Sequence, residues 1–136
     1  MLTYETKIRV RYGETDQMGY AYYGVYAQYY EVARVEALKS LGISYRKMEE
    51  DGIMLPVINF NINYKKAALY DDEIRIVTKV KNIPSVRITF DYECYNEQNE
   101  LLNTGEVTLV FVDKEKKRPT IPPDFFIEAF EAKFFE

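Results

Sequence analysis

The sequence predicts an α+β domain in which a five-stranded antiparallel sheet curls around one long central helix. Three observations carry this prediction. Five runs alternate apolar and polar residues with the period of a strand, and a single long stretch carries apolar residues at spacings of three and four. The dimensions supply the third. Five strands of about ten residues form a sheet roughly 24 Å wide and 33 Å long. The one helix is roughly 28 Å long and 10 Å across. It matches the sheet in length but is too narrow to cover it flat, so a twisted sheet has to curl around it. Apolar surface is still left over, and a second copy of the chain is its simplest cover.

The first strand is read over residues 4–12, where Ile8, Val10 and Tyr12 alternate with Lys7, Arg9 and Arg11. A loop follows over residues 13–22, bounded by Gly13 and containing Gly19 and the turn-capable Asp16. The helix runs from about Tyr23 to Leu41, with Gly42 as its stop. Apolar residues on more than one face indicate burial on several sides. A short helix over Ser44 to Asp51 has Ser44 as its cap and Gly52 as its end. Strands are then read at 57–64, 73–81, 85–95 and 102–112. In the first of these Ile58, Phe60, Ile62 and Tyr64 alternate with Asn59, Asn61 and Asn63. Turn signals at Ile83-Pro84-Ser85 and Asn96 to Asn99 make the last three an antiparallel meander. A short amphipathic helix over 124–136 presents Phe126, Phe130 and Phe134.

Composition narrows the chemistry. The 136 residues make one domain, 1–136, with 47% hydrophobic and 29% charged residues and a net charge of −4. A nucleic-acid partner is not expected, because basic residues occur only in short runs such as Lys65-Lys66 and Lys114 to Arg118. The first five residues hold no apolar signal region. No stretch approaches the roughly 18 apolar residues that span a bilayer. The expected location is therefore the cytoplasm. Cys94 is the single cysteine and there is no histidine. That removes triad mechanisms that use histidine, thiolate cages and the histidine-based zinc motif, so no metal is expected. There is also no glycine-rich phosphate loop. Acid–base work has to come from carboxylates, Tyr, Lys, Cys94 or backbone dipoles.

Asp16 is the leading candidate. It sits in the loop just ahead of a helix N-terminus, whose free N–H groups can hold a developing oxyanion. A carboxylate beside them can attack an acyl carbon or activate water against it. The competing reading of Asp16 is a turn or capping residue.

The run Arg11-Tyr12-Gly13-Glu14-Thr15-Asp16-Gln17-Met18-Gly19, then Tyr22, Tyr26 and Glu31-Val-Ala-Arg34, resembles the opening of the 4-hydroxybenzoyl-CoA thioesterase type of hot-dog acyl-CoA thioesterases, and most of all its YbgC-like subgroup. Tyr64 to Asp72 resembles the subgroup's segment entering the next strand, and the likeness spans roughly residues 5–113. It implies a hot-dog fold and acyl-CoA thioester hydrolysis. No cofactor is implied, because coenzyme A is part of the substrate. The implied assembly is a homodimer or homotetramer with active sites between subunits. Asp16 matches the family's general base or nucleophile. The Tyr23 N–H matches the group that polarises the thioester carbonyl, and Tyr12 matches a Tyr near the catalytic Asp. Gly19, Tyr22 and Tyr26 of the same motif are expected at the substrate. So is Gly24, which would let a ligand approach the backbone. Tyr20, Tyr22 and Tyr23 are expected to line the acyl pocket.

The subgroup usually has His followed by a small residue, Asn and Tyr where this chain has Tyr23-Gly24-Val25-Tyr26. The backbone dipole survives that change, whereas a Tyr hydroxyl, with a usual pKa of about 10, is a poor base at pH 7. Glu31, two turns along the helix, is either a second carboxylate or an ion-pair partner of Arg34 or Arg11. Glu14 is read as solvated. Lys65 and Lys66 are either contacts for coenzyme A phosphates or guards of a strand edge. Two other readings stay open: a protein that binds acyl-CoA or acyl carriers without catalysis, and a thioesterase for acyl carrier protein. A dehydratase is disfavoured by the missing histidine.

Overall fold

The computed structural model describes residues 1–134. The main sheet contains β1 (Leu2–Arg9), β3 (Val57–Tyr64), β4 (Glu73–Val80), β5 (Arg87–Tyr95) and β6 (Leu101–Val110). Every pairing is antiparallel, in the spatial order β1-β4-β5-β6-β3. The meander β4-β5-β6 is as expected. β1 and β3 form the two edges.

The long helix begins as a 3-10 turn, Tyr23–Val25, and continues as α1 (Tyr26–Ser40). Its buried side chains are Tyr26, Tyr29, Tyr30, Ala33, Arg34, Ala37 and Leu38. They pack on the sheet face that carries Ile74, Ile76, Ile88, Phe90, Tyr92 and Cys94. Gly42 (φ 79°) follows the end of α1. The second helix, α2 (Tyr45–Glu50), is capped by Ser44, whose hydroxyl accepts the Lys47 N–H at 3.1 Å. The third, α3 (Asp124–Phe134), stacks Phe130 on Phe126, sets Phe126 edge-on to Phe111 and contacts β1. The last two positions of its expected range lie outside the described residues. No described helix is long and apolar enough to cross a membrane.

Three features differ from expectation. First, β1 stops at Arg9, so Tyr12 does not continue its inward row. Val10 exchanges backbone hydrogen bonds with Asp71 and Asp72, and the chain then turns through a 3-10 turn at Tyr12–Glu14. Second, a small sheet forms from β2 (Ile53–Met54), β7 (Val112–Asp113) and β8 (Arg118–Pro119). Strands of two residues are too short to show a period. Third, β3 is exposed along almost its whole length. It pairs on one side only, with β6, while α1 lies over β1 and β4. Val57, Ile58, Phe60 and Tyr64 stay between 39% and 49% exposed. The helix and sheet dimensions foretell leftover apolar surface but not its place on this edge strand.

Within the core, Tyr30 stacks on Tyr92 with ring centroids 4.2 Å apart and donates a hydrogen bond to Asn103 Oδ1. The Tyr30 ring passes over Gly105 of β6, where any Cβ would lie 2.4 Å from it. Glycine is needed at this crossing for its missing side chain.

Candidate functional site

The loop ahead of the helix is held from both sides. The Asp16 N–H donates to Tyr20 O at 2.8 Å and the Gly19 N–H to Asp16 O at 3.0 Å. Gly19 takes φ 78°, which a side chain would disfavour, and so closes the turn. The loop is also tied to the segment entering β4. The Ala21 N–H donates to Ala68 O at 2.8 Å and the Tyr70 N–H to Gly19 O at 3.1 Å.

Asp16 does what its turn reading predicts, with one of its oxygens. Its Oδ1 accepts the N–H groups of Met18 (2.9 Å) and Tyr20 (3.2 Å). Its Oδ2 has no hydrogen-bond partner among the described residues. The carboxylate is half-buried and lines a hollow of about 360 Å³. Met18, Tyr20, Ala21, Tyr23, Tyr26, Tyr64, Lys65, Lys66 and Ala67 form the remaining wall. A fixed carboxylate with one free oxygen can act as base or nucleophile, so capping and chemistry are compatible here.

Tyr23 opens the helix at the rim of the same hollow. No side chain caps this 3-10 turn, and the first N–H groups of a helix lack acceptors within it. The Tyr64 hydroxyl donates to Tyr23 O at 2.7 Å, which fixes the peptide from the β3 side. The Tyr23 phenol is engaged with its neighbour. The two rings lie 4.7 Å apart, and the adjacent Tyr23 phenol raises the pKa of Tyr22. Tyr26 is buried and makes an edge contact with Tyr64 at 5.8 Å. Desolvation by burial pushes its phenol pKa up, so it stays protonated as a hydrogen-bond donor.

The two lysines differ. Lys66 is paired with Glu100, whereas Lys65 makes no side-chain ion pair among the described residues. Both N–H groups donate to Leu102 O, at 2.8 and 2.9 Å, which turns the chain at the end of β3.

Six expected site residues thus share one hollow: Asp16, Tyr20, Tyr23, Tyr26, Lys65 and Lys66. Tyr12 and Gly19 line a second hollow on the other side of Asp16, where Tyr12 meets Tyr70 edge-on at 5.5 Å. Tyr20 lines the first hollow as expected, but Tyr22 does not. The neighbour of Gly24 is the Tyr22 ring, which would be 2.9 Å from any Cβ, so within this chain its missing side chain serves ring packing. Glu31 is exposed and outside the hollow, and it pairs with neither Arg34 nor Arg11. Arg34 is buried against the phenols of Tyr92 and Tyr45, while Arg11 pairs with Glu14 at 2.7 Å.

Glu14 corrects the sequence reading most sharply. Its side chain is only 12% exposed and is fully engaged rather than solvated. Sequence reasoning also missed Tyr64, Met18, Ala21 and Ala67 as wall residues. The position of Tyr64 directly before Lys65-Lys66 was the available signal for it.

The thioesterase-like superfamily model matches residues 10–130. YneP of Bacillus subtilis (strain 168) is 36% identical over 113 residues, which are 83% of this chain and 82% of that protein. The acyl-CoA thioester hydrolase YbgC of Escherichia coli O157:H7 is 30% identical over 91% of this chain and 92% of its own length. Among solved structures, a DHNA-CoA thioesterase from Staphylococcus aureus superposes with a TM-score of 0.91 at 37% identity, covering 99% of this chain and 91% of that one. These neighbours share the hot-dog fold.

Proposed function

The chain belongs to the thioesterase-like superfamily, and from that premise we propose that it hydrolyses acyl-CoA thioesters. The observation that carries this reading is the placement of Asp16 and the uncapped helix start at Tyr23 around one hollow. In the general-base route, Asp16 takes a proton from water and the resulting hydroxide adds to the thioester carbonyl. The Tyr23 N–H holds the oxyanion of the tetrahedral intermediate. Collapse breaks the C–S bond, and the departing thiolate takes the proton back from Asp16. In the nucleophilic route an Asp16 oxygen adds to the carbonyl, and the C–S bond breaks to expel the coenzyme A thiolate and leave a mixed anhydride. Water then opens the anhydride, releasing the acid, returning the Asp16 carboxylate and supplying the proton that the thiolate takes up. No metal or further cofactor is required in either route.

The test is thiol release across short, long and aromatic acyl-CoAs, with acyl carrier protein thioesters as a second panel. Turnover of at least one acyl-CoA is the expected result. Tight binding with no thiol release on any substrate would instead establish a non-catalytic acyl-binding protein. Turnover of carrier-protein thioesters alone would reassign the carrier.

Lys65 is the better-placed cation for a coenzyme A phosphate, because Lys66 is already paired. Lys65→Ala is expected to raise KM about three- to tenfold with little change in kcat, consistent with losing a charge-assisted contact. An unchanged KM would remove Lys65 from the phosphate site.

The exposed β3 edge supports a homodimer. Its unpaired backbone groups and the exposed Ile58 and Phe60 side chains suit pairing with a second copy. Phe60→Lys combined with Ile58→Lys is expected to shift the protein from dimer to monomer in sedimentation velocity. A double variant that keeps its wild-type assembly would place the interface elsewhere.

A further inference from the structure

We propose that Glu14 is a positioning residue that sets the placement of Asp16 against the Tyr23 N–H; the inference rests on the hydrolase reading above. Glu14 touches neither hollow directly, yet it accepts hydrogen bonds from three residues, Arg11 and Tyr22 beside the loop and Tyr29 on α1. Its Oε1 accepts the backbone N–H of Arg11 at 2.9 Å and the hydroxyl of Tyr29, on α1, at 2.9 Å. Its Oε2 accepts Arg11 Nε at 3.0 Å and Nη2 at 2.7 Å. Its main-chain carbonyl accepts the Tyr22 N–H at 2.8 Å. Asp16 follows Glu14 by two residues and Tyr23 follows Tyr22 by one. One residue therefore ties both arms of the loop to each other and to the first turn of α1.

The electrostatics fit a fixed, ionised carboxylate. Burial works to raise the Glu14 pKa, but the hydrogen bonds from Arg11 and Tyr29 and the Arg11 charge outweigh it, leaving the pKa below the usual value. A buried carboxylate with this set of donors has little freedom to shift. The link to Tyr29 is the informative one, because it joins the loop to the helix whose first N–H groups receive the oxyanion. Loosening it changes the distance between the two halves of the machinery. A misplacement of about 1 Å in such a site costs about a hundredfold in rate.

The experiment compares Glu14→Ala, Glu14→Gln, Tyr29→Phe, the Glu14→Ala/Tyr29→Phe pair and Asp16→Asn on whichever acyl-CoA the wild type turns over. All are assayed well below their unfolding temperatures, with the folded fraction measured. Glu14→Ala is expected to lose about ten- to a hundredfold in kcat with KM within about threefold. Tyr29→Phe should lose about five- to tenfold in kcat. Glu14→Gln keeps an oxygen for Tyr29 and should recover most of the rate. The paired variant should be no worse than Glu14→Ala alone, since both changes break one link. If Asp16→Asn is inactive while Glu14→Ala keeps wild-type kcat per folded molecule, the positioning role is overturned and the hydrolase reading stands. Additive losses in the pair would overturn it as well. If Asp16→Asn remains active, Asp16 is not the catalytic group and this inference fails with it; a wild type that turns over no acyl-CoA would sink the hydrolase reading instead.

Discussion

Asp16→Asn is expected to lower kcat about a hundred- to ten-thousandfold, the range attributed to a positioned acid–base group, with KM within a few-fold of wild type. The structure makes Asn the cleaner substitution. The oxygen of Asn can keep accepting the Met18 and Tyr20 N–H groups, so the turn survives while the basic carboxylate is lost. Asp16→Ala should lose the same activity and, in addition, about 1 kcal/mol of stability, because the two N–H groups lose their acceptor. Thermal unfolding beside thiol release separates the effects. An Asn variant with more than about a tenth of wild-type kcat would mean that Asp16 serves the turn alone.

The largest expected stability effect lies far from this loop. Gly105→Val should destabilise by about 3 kcal/mol or more, and the unfolding temperature should fall by about 10 °C. Two effects oppose each other at this position. Replacing glycine in a strand by a β-branched residue favours the strand by up to about 1 kcal/mol. A side chain there, however, meets the Tyr30 ring at 2.4 Å and its hydroxyl oxygen at 2.7 Å. That ring cannot yield easily, since it is stacked on Tyr92 and bonded to Asn103. Moving it leaves the buried Asn103 oxygen without a partner, a further cost of about 1–3 kcal/mol. Calorimetry decides the sign. A variant as stable as wild type would show that the Tyr30 ring can repack.

Much of this was legible in the sequence. Period-2 alternation marked the strands of the main sheet, and the Gly42 and Ser44 signals placed the helix ends within a residue or two. What stayed hidden depended on partners distant in the chain. Alternation along Ile58, Phe60, Ile62 and Tyr64 marks a strand but not what covers it, so its edge position and exposure could not be read. Glu14 looked solvated because its buried partner, Tyr29, lies fifteen residues away on a helix face that only the fold defines. Tyr12 matched the strand period by coincidence, since the Arg11–Glu14 contact turns the chain before it. The Asp16 site was legible in its loop residues and less so in its walls, because Tyr64 and Ala67 arrive from the end of another strand.

The bonds that join Ala21 to Ala68 and Gly19 to Tyr70 bear on how the molecule is made. The loop draws its shape from a stretch of chain synthesised long after it, just ahead of the strand that pairs with the N-terminal edge. Closing so long a stretch is entropically costly and slow. A chain in which these bonds have not yet formed leaves the Asp16 loop without its support from Ala68 and Tyr70. The loop's support thus adjoins the β1–β4 pairing, the one in the main sheet that joins the residues farthest apart in sequence.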